Sequence, residues 1–379
     1  MDTALRVIDA DGHTLEPSDW IVRYLDPKFR HRIQSEPDGQ VLVDGQEVMR
    51  HPPRTLEALR FTPDLILERF GEIAEAGFSA MAVVDAMDVE GIDVSVIYGP
   101  LYQCWIEGMD PELAAAIARA YSRWLAEYMA ESGGRIVGAA PIPLHDVVLA
   151  LKEVEYDYHE LGIRAFWTRP NPVRGRMLGH RDFDPFYEAL EDLNVPLSFH
   201  EGSGSLMQNI GSERFMDTWF EQHVCVHPME QQMAMLSLIV QGVLERHPSL
   251  RVAFMEAGSA WAPSWLHRMD EHAELVGWND APDLSLEPSE YFKRQCFISC
   301  EPDEDLLYQV VDALGHENVL FASDFPHPDA KYPTAVKQFL ELPKVSTEVK
   351  AQILWDNALR FYGFDEDALP KAGASAGRQ

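Results

Sequence analysis

Apolar positions along the chain fall into eight short runs rich in β-branched and aromatic residues. They cover Leu5–Asp9, Val94–Tyr98, Ile136–Ala140, Ile163–Trp167, Val195–Phe199, Val252–Met255, Cys296–Ser299 and Val319–Ala322. Each closes on small or polar residues, which is the mark of a buried strand. Between them lie longer stretches with helical spacing. Pro111–Ser132 carries Leu113, Ala116, Ile117, Tyr121, Trp124 and Tyr128 on one side. Val147–Leu161, Asp184–Leu193, Met229–Arg246, Ala260–Val276, Asp303–Leu314 and Ser346–Leu359 follow the same logic, and Gly162 suits a helix C-terminus.

Strands alternating with helices in this number predict an α/β fold, a closed (β/α)8 TIM barrel. The rival, an open doubly wound sheet, would carry a Gly-rich phosphate turn after its first strand. Here Gly12 stands alone between Asp11 and His13. Residues 1–365 are read as one such barrel. About 16–87 form an insertion or cap after the first strand, and 366–379 form a flexible tail. Within the insertion, Gln40–Val48 reads as a hairpin, with Asp44-Gly45 as its turn.

Composition narrows the possible partners. There are 62 Asp and Glu against 31 Lys and Arg, a formal net charge of −31, so nucleic acid and anionic membrane surfaces would be repelled. Four scattered cysteines, Cys104, Cys225, Cys296 and Cys300, form no disulfide framework and suit a reducing compartment. The N-terminus has no apolar core of a signal peptide, and no apolar run is long enough to span a membrane; the expected location is the cytoplasm.

The chemistry gathers at the strand ends. Asp11 and His13 follow the first run, His200 the fifth and Asp324 the eighth. In a (β/α)8 barrel these ends converge on one face. Asp11 and His13, two apart on a strand, point the same way. Two imidazoles and two carboxylates meeting there suit a divalent ion such as Zn²⁺, Fe²⁺ or Mn²⁺.

The segments Val7–Pro17 (VIDADGHTLEP), Arg169–Pro172, Ser198–Gly202 (SFHEG) and Phe321–His327 (FASDFPH) resemble the amidohydrolase superfamily. The branch they are similar to is the amidohydrolase-2 family, which includes aminocarboxymuconate-semialdehyde decarboxylase and related aromatic acid decarboxylases. The resemblance runs over roughly residues 5–362. It implies a metal held by Asp11, His13, His200 and Asp324, with D-x-H where the family commonly has H-x-H. Many members place a His after strand six; here Met255-Glu256-Ala257-Gly258 stands there. No Lys follows strand four, so a carboxylated-Lys bridge between two metals is absent.

Glu256 has three readings: a general base, a ligand of a second metal, or a structural partner of Arg251 or Arg268. Glu16, His227 and Glu256 form the candidate second-ion set, with His223 nearby in what reads as the loop after strand five. His223 and His227 are otherwise ordinary helix-start histidines. His227 joins Asp324 and Glu256 as a candidate catalytic residue. Arg169 is a candidate clamp for a substrate carboxylate or one half of a salt bridge. Tyr98, Tyr102, Trp105, Trp167 and Phe325 are candidate pocket aromatics, with Tyr98 and Trp167 foremost, and His327 is placed to hydrogen-bond a ligand residue.

The function expected is metal-dependent hydrolysis or non-oxidative decarboxylation of a small aromatic carboxylate. One ion (Zn, Mn or Fe) is expected, and two are possible. The alternatives are a dinuclear iron or manganese oxygenase on the same barrel, or a non-catalytic subunit of one. Assembly as a homodimer or higher oligomer is expected, with a hetero-oligomer as the alternative.

Overall fold

The computed structural model describes residues 5–35, 41–48, 63–99, 102–202, 205–215 and 217–373. In chain order the strands are β1 (Ile8–Gly12), β2 (Ile33–Ser35), β3 (Val41–Val43), β4 (Gln46–Glu47), β5 (Val94–Ile97), β6 (Ile136–Pro141), β7 (Ala165–Thr168), β8 (Leu197–Phe199), β9 (Val252–Phe254), β10 (Cys296–Cys300) and β11 (Val319–Phe321). β1 and β5–β11 pair in parallel in that order, and helices separate them in sequence. Nearly every residue of these eight strands is buried, as a parallel sheet covered on both faces demands.

The first strand lies three residues beyond the apolar run that announces it. Leu5 is exposed, whereas Asp9 and Asp11, polar in sequence, are buried in the strand. Their burial is possible because the barrel closes over them. Asp9 accepts hydrogen bonds from the Ser323 N–H (2.8 Å), the Ser323 hydroxyl (2.7 Å) and the Ser95 hydroxyl (2.9 Å). It thereby joins β1 to its neighbour β5 and to the last strand. The Asp324 N–H donates to the Asp11 carbonyl (3.0 Å), and the His13 N–H donates to the Phe325 carbonyl (2.6 Å). Gly12 sits inside this seam. A Cβ there would lie 2.4 Å from Ser95 Oγ and 2.9 Å from Asp9 Oδ2, too close for any side chain.

The helices follow from local signals. Pro111–Glu131 starts on Asp110, whose side chain accepts from the Glu112 N–H, and has Pro at its first position. It buries Leu113, Ile117, Tyr121, Trp124 and Tyr128, each worth roughly 2 kcal/mol of apolar burial. Met229–Arg246 is a correction. The helix runs Trp219–Val240 with Pro228 inside it, so His223 and His227 are helical and not in a loop. Pro228 reads as a breaker because it removes one hydrogen bond. The helix continues through it, capped by the Thr218 hydroxyl on the Glu221 N–H.

Between β1 and β5 the hairpin forms as expected. β3 and β4 pair with Leu42 opposite Glu47 and Val43 opposite Gln46, and Asp44 and Gly45 both take positive φ, as a two-residue hairpin turn requires. β2 pairs antiparallel with β3 as a third strand. The helix Ala80–Glu90, which overlaps the expected insertion, is largely buried and packs beside Pro111–Glu131 as a barrel helix. Residues 49–62, also in that insertion, lie outside the described residues.

The chain beyond residue 365 makes hydrogen bonds back to the barrel. Arg6 donates to the Pro370 carbonyl (2.6 Å), the Ala372 N–H to Asp93 (2.8 Å) and the Gly373 N–H to Asp88 (3.1 Å). Residues 374–379 lie outside the described residues.

The Asp9 seam generates a prediction. Asp9→Ala leaves a buried N–H and two buried hydroxyls without their acceptor and should cost roughly 3 kcal/mol. Urea unfolding of the variant beside wild type measures this directly; an unchanged midpoint would remove Asp9 from the closure.

Candidate metal centre and active site

The closed seam sets the donors in place. Asp11 and His13 leave β1, His200 follows β8, Glu256 follows β9 and Asp324 follows β11. His13 Nε2 lies 3.6 Å from Asp11 Oδ1 and 3.1 Å from Asp324 Oδ1. His200 Nε2 lies 3.3 Å from Asp11 Oδ1 and 3.0 Å from Glu256 Oε2. Ligands around a first-row divalent ion, each about 2.1 Å from it, stand about 3–3.4 Å from one another. The spacing fits.

The hydrogen bonds choose the imidazole tautomers. Carbonyls only accept, so His13 Nδ1 donates to Tyr98 O (3.0 Å) and His200 Nδ1 donates to Glu201 O (2.9 Å). Both Nε2 lone pairs then face the centre. His13 Nε2, His200 Nε2, both Asp11 oxygens and Asp324 Oδ1 are buried with no well-directed hydrogen bond. Orphaned buried donors of this kind are costly unless an ion completes them. Asp11, His13 and His200 form one potential ligand group, and His13, Asp324 and His327 form another.

Electrostatics agree. Burial pushes the Asp11 carboxyl up to about 7, against the pull of His13. Burial pushes His200 down to about 3 and lowers His13 and His227, leaving neutral imidazoles, the form that binds metals. Asp324 behaves oppositely. Burial opposes its charge, but His327 and His13 outweigh burial and hold it well below the usual carboxylate range. His327 Nδ1 lies 2.7 Å from Asp324 Oδ1, and its ring stacks on His13 at 4.1 Å. Burial beside Asp324 and Asp11 holds Glu256 well above the carboxylate range.

Glu256 and Asp324 share a further feature: both take positive φ, 51° and 56°, at the ends of their strands. Non-glycine residues pay for that conformation, and it concentrates where side chains must be aimed. Ser299 Oγ accepts from the Glu256 N–H (3.0 Å), and His227 Nδ1 donates to the Glu256 carbonyl (2.7 Å). Glu256 touches neither Arg251, which bonds the Phe361 carbonyl and Asn194, nor Arg268; it lies within the site.

Of the second-ion candidates, Glu16 accepts from the Tyr121 hydroxyl (3.0 Å), and His227 Nδ1 donates to the Glu256 carbonyl (2.7 Å). Among the described residues, no ligand group unites Glu16, His227 and Glu256.

Of the expected substrate residues, Tyr98, Trp167 and Arg169 are all at most 1% exposed. Tyr98 stacks on His200 at 5.2 Å, its hydroxyl bonded to Ser198 and Tyr362, and Trp167 meets His200 edge-on at 5.7 Å. Arg169 lies 3.7 Å from Glu201, whose buried carboxylate requires a countercharge. The three wall in His200. Trp105 packs against Trp167, and Phe325 against Phe70 and Phe78.

One residue has no announcement in the strand-end motifs. Gln231 is buried and donates to both the Phe199 and Met255 carbonyls (2.7 and 2.9 Å), just before His200 and Glu256. Its signal is the helical spacing of 223, 227 and 231 once Pro228 is accepted inside the helix.

Comparison with known proteins decides the family. A family model described as amidohydrolase matches residues 99–364. The chain belongs to the amidohydrolase family. Within the amidohydrolase-2 branch it is 26% identical over 290 residues to a 2-amino-3-carboxymuconate-6-semialdehyde decarboxylase of Dictyostelium discoideum, covering 74% of this chain and 76% of that one. It is 26% identical over 273 residues to a 6-methylsalicylic acid decarboxylase of Penicillium expansum, covering 70% and 81%. An amidohydrolase crystal structure from Mycobacterium avium subsp. paratuberculosis superposes with a TM-score of 0.77 at 25% identity, covering 96% of this chain and all of that one. A manganese-bound dihydroxybenzoic acid decarboxylase from Polaromonas superposes with a TM-score of 0.67 at 18% identity, covering 95% and 97%.

The expected barrel, family and enzyme class are thus established: this is a metal-dependent hydrolase or non-oxidative decarboxylase. Among the described residues no helix is long and apolar enough to cross a membrane.

The ligand assignment yields a prediction. His200→Ala should lower bound metal well below the wild-type stoichiometry, while His227→Ala should retain it. Elemental analysis of both variants purified without chelator reads the difference, and full metal in His200→Ala would reject the assignment.

Proposed function

We propose that the protein is a non-oxidative decarboxylase of a small aromatic or enoic carboxylate with an amino or hydroxyl group next to the carboxylate. The observation that carries this reading is the set of orphaned buried donors on Asp11, His13, His200 and Asp324, beside a carboxyl group, Glu256, whose affinity for a proton burial raises. The relatives' names support the substrate class: carboxymuconate semialdehyde, methylsalicylic acid and, at 22% identity, gamma-resorcylate are all unsaturated acids of this kind.

One ion is proposed, held by Asp11, His13, His200 and Asp324. The two carboxylates favour a hard ion such as Mn²⁺; two solved neighbours contain manganese. A divalent ion bound there supplies Lewis acidity toward the substrate's carboxylate and neighbouring oxygen or nitrogen.

The chain's own residues do the rest. Tyr98, Trp167 and the Glu201 carbonyl fix His200, and Tyr98 O fixes His13. His327 pairs with Asp324 and holds it ionised. Glu256, partly exposed at the mouth, is the proton carrier, and His227 positions it through its backbone. Glu256 gives its proton to the substrate carbon, the electron pair of the breaking C–C bond becomes the new C–H bond, CO2 departs, and solvent at the mouth reprotonates the carboxylate.

The test is a panel of hydroxybenzoates and aminomuconate-type acids incubated with Mn²⁺-loaded protein, with CO2 release followed by a coupled assay. At least one acid should release CO2. Glu256→Gln should lower kcat on it by roughly 100-fold or more while metal content stays at the wild-type level. Turnover of amides or lactones with no CO2 from any acid would overturn the reading.

A further inference from the structure

Three buried hydroxyl groups form a chain beside the proposed ligands. Ser198 Oγ lies 2.7 Å from the Tyr98 hydroxyl, which lies 2.8 Å from the Tyr362 hydroxyl. The Tyr362 hydroxyl donates to the Ala10 carbonyl (2.9 Å). All four residues are buried. Ser198 stands on β8 and Tyr98 just past β5, with β6 and β7 between them in the sheet, so the chain crosses the barrel interior. Tyr362 comes from the other end of the sequence, three residues past the expected helix end at Leu359. It is the last residue of the helix Asn357–Tyr362, which Asn357 ties to the barrel by donating to the Val319 carbonyl (2.7 Å).

The chain runs in one direction. A carbonyl only accepts, so the single Tyr362 hydroxyl hydrogen goes to Ala10. Tyr98 must then donate to Tyr362, and Ser198 to Tyr98. Burial raises the pKa of both tyrosines, so each keeps the hydrogen that the chain needs.

Every link of this chain adjoins a ligand. Ser198 is two residues before His200. Ala10 immediately precedes Asp11, in the stretch where the pairing of β1 with β5 loses its regular register. Tyr98, in the middle, touches two ligands: its ring stacks on His200 at 5.2 Å, and its carbonyl accepts from His13 Nδ1 (3.0 Å). We infer that Tyr362 is a positioning residue of the metal centre. Its hydroxyl anchors Tyr98 and Ala10, and through them it sets the imidazoles of His13 and His200 and the β1 backbone at Asp11. Partners outside the ligand set that fix ligand orientation commonly govern metal affinity by roughly 10- to 100-fold. The inference rests on the ligand set proposed above and is independent of which acid, if any, is decarboxylated.

Titration of the full chain with Mn²⁺, the free ion being read by electron paramagnetic resonance, tests this. Tyr362→Phe keeps the ring and removes the hydroxyl; it should raise the Kd for Mn²⁺ by roughly 10-fold or more. Tyr98→Phe should do the same. The double variant should bind no more weakly than the weaker single one, because both substitutions break one chain. Tyr187→Phe is the control. Tyr187 is also buried and also donates to a backbone carbonyl, that of Leu178 (2.8 Å), but its ring packs against Phe186 and His247 and against none of the proposed ligands. It should lower the thermal midpoint and leave the Kd at the wild-type value. A Tyr362→Phe variant that loses stability but keeps the wild-type Kd would overturn the inference. So would fully additive losses in the double variant, or an equal rise in Kd for Tyr187→Phe. A wild type that binds no Mn²⁺ at all would instead overturn the ligand set, and the inference with it.

Discussion

The meeting of the first and last barrel strands is the constraint on which the site depends. Asp11 and Asp324 are separated by most of the chain, yet the backbone hydrogen bond from Asp324 to Asp11 fixes them as neighbours. The Asp9 carboxylate reinforces the join from below, gathering Ser323 and Ser95. Gly12 permits it, since no Cβ fits between Ser95 and Asp9. Polar residues buried in a barrel strand would ordinarily weaken it. Here their hydrogen bonds are the means by which the barrel closes, and closure aligns the donors.

Closure also creates an electrostatic debt inside the rim. Asp11, Asp324 and Glu256 are three carboxyl groups within one small buried space. The side chains answer in two ways: Asp324 keeps its charge beside His327, while Asp11 and Glu256 shift toward the protonated form. A divalent cation would remove the conflict around Asp11 directly. Its binding is therefore linked to proton release, as expected for sites whose ligands must be deprotonated. The strained backbone at Glu256 and Asp324 belongs to the same bargain: both side chains are turned inward at a conformational cost that neighbouring hydrogen bonds sustain.

Much of this was legible in the sequence, for identifiable reasons. The barrel strands are apolar on both faces, so their runs stand out, and Asp11, His13, His200 and Asp324 sit where those runs end. The first strand was displaced because its middle is polar, and hydrophobicity does not reveal that Ser95 and Ser323 await Asp9. The helix carrying His223, His227 and Gln231 was cut short at Pro228, since a lost hydrogen bond is visible in sequence and the packing that compensates for it is not. Arg169, Trp167 and Tyr98 lie near strand ends, but a strand end says nothing of depth. Only coordinates show that they surround His200 beneath the opening. Composition counts possible ligands such as Glu16, His227 and Glu256, but not the hydrogen bonds that Tyr121 and the Glu256 carbonyl make with two of them.

The Glu at position 256 follows from this geometry as a chemical choice. A histidine after β9 would bring a neutral imidazole to His200, easing the crowding of negative charge. A glutamate instead adds a third carboxyl to a rim that already holds two, and burial first, then the neighbouring Asp324 and Asp11, raise its affinity for a proton. The same burial that lowers an imidazole's affinity for a proton raises this carboxyl's. His227, gripping the Glu256 backbone and not its carboxylate, fixes where that proton is held without taking it. A carboxyl thus stands where many members of the family have a His, inside a seam whose burial and neighbouring carboxylates favour its protonated form.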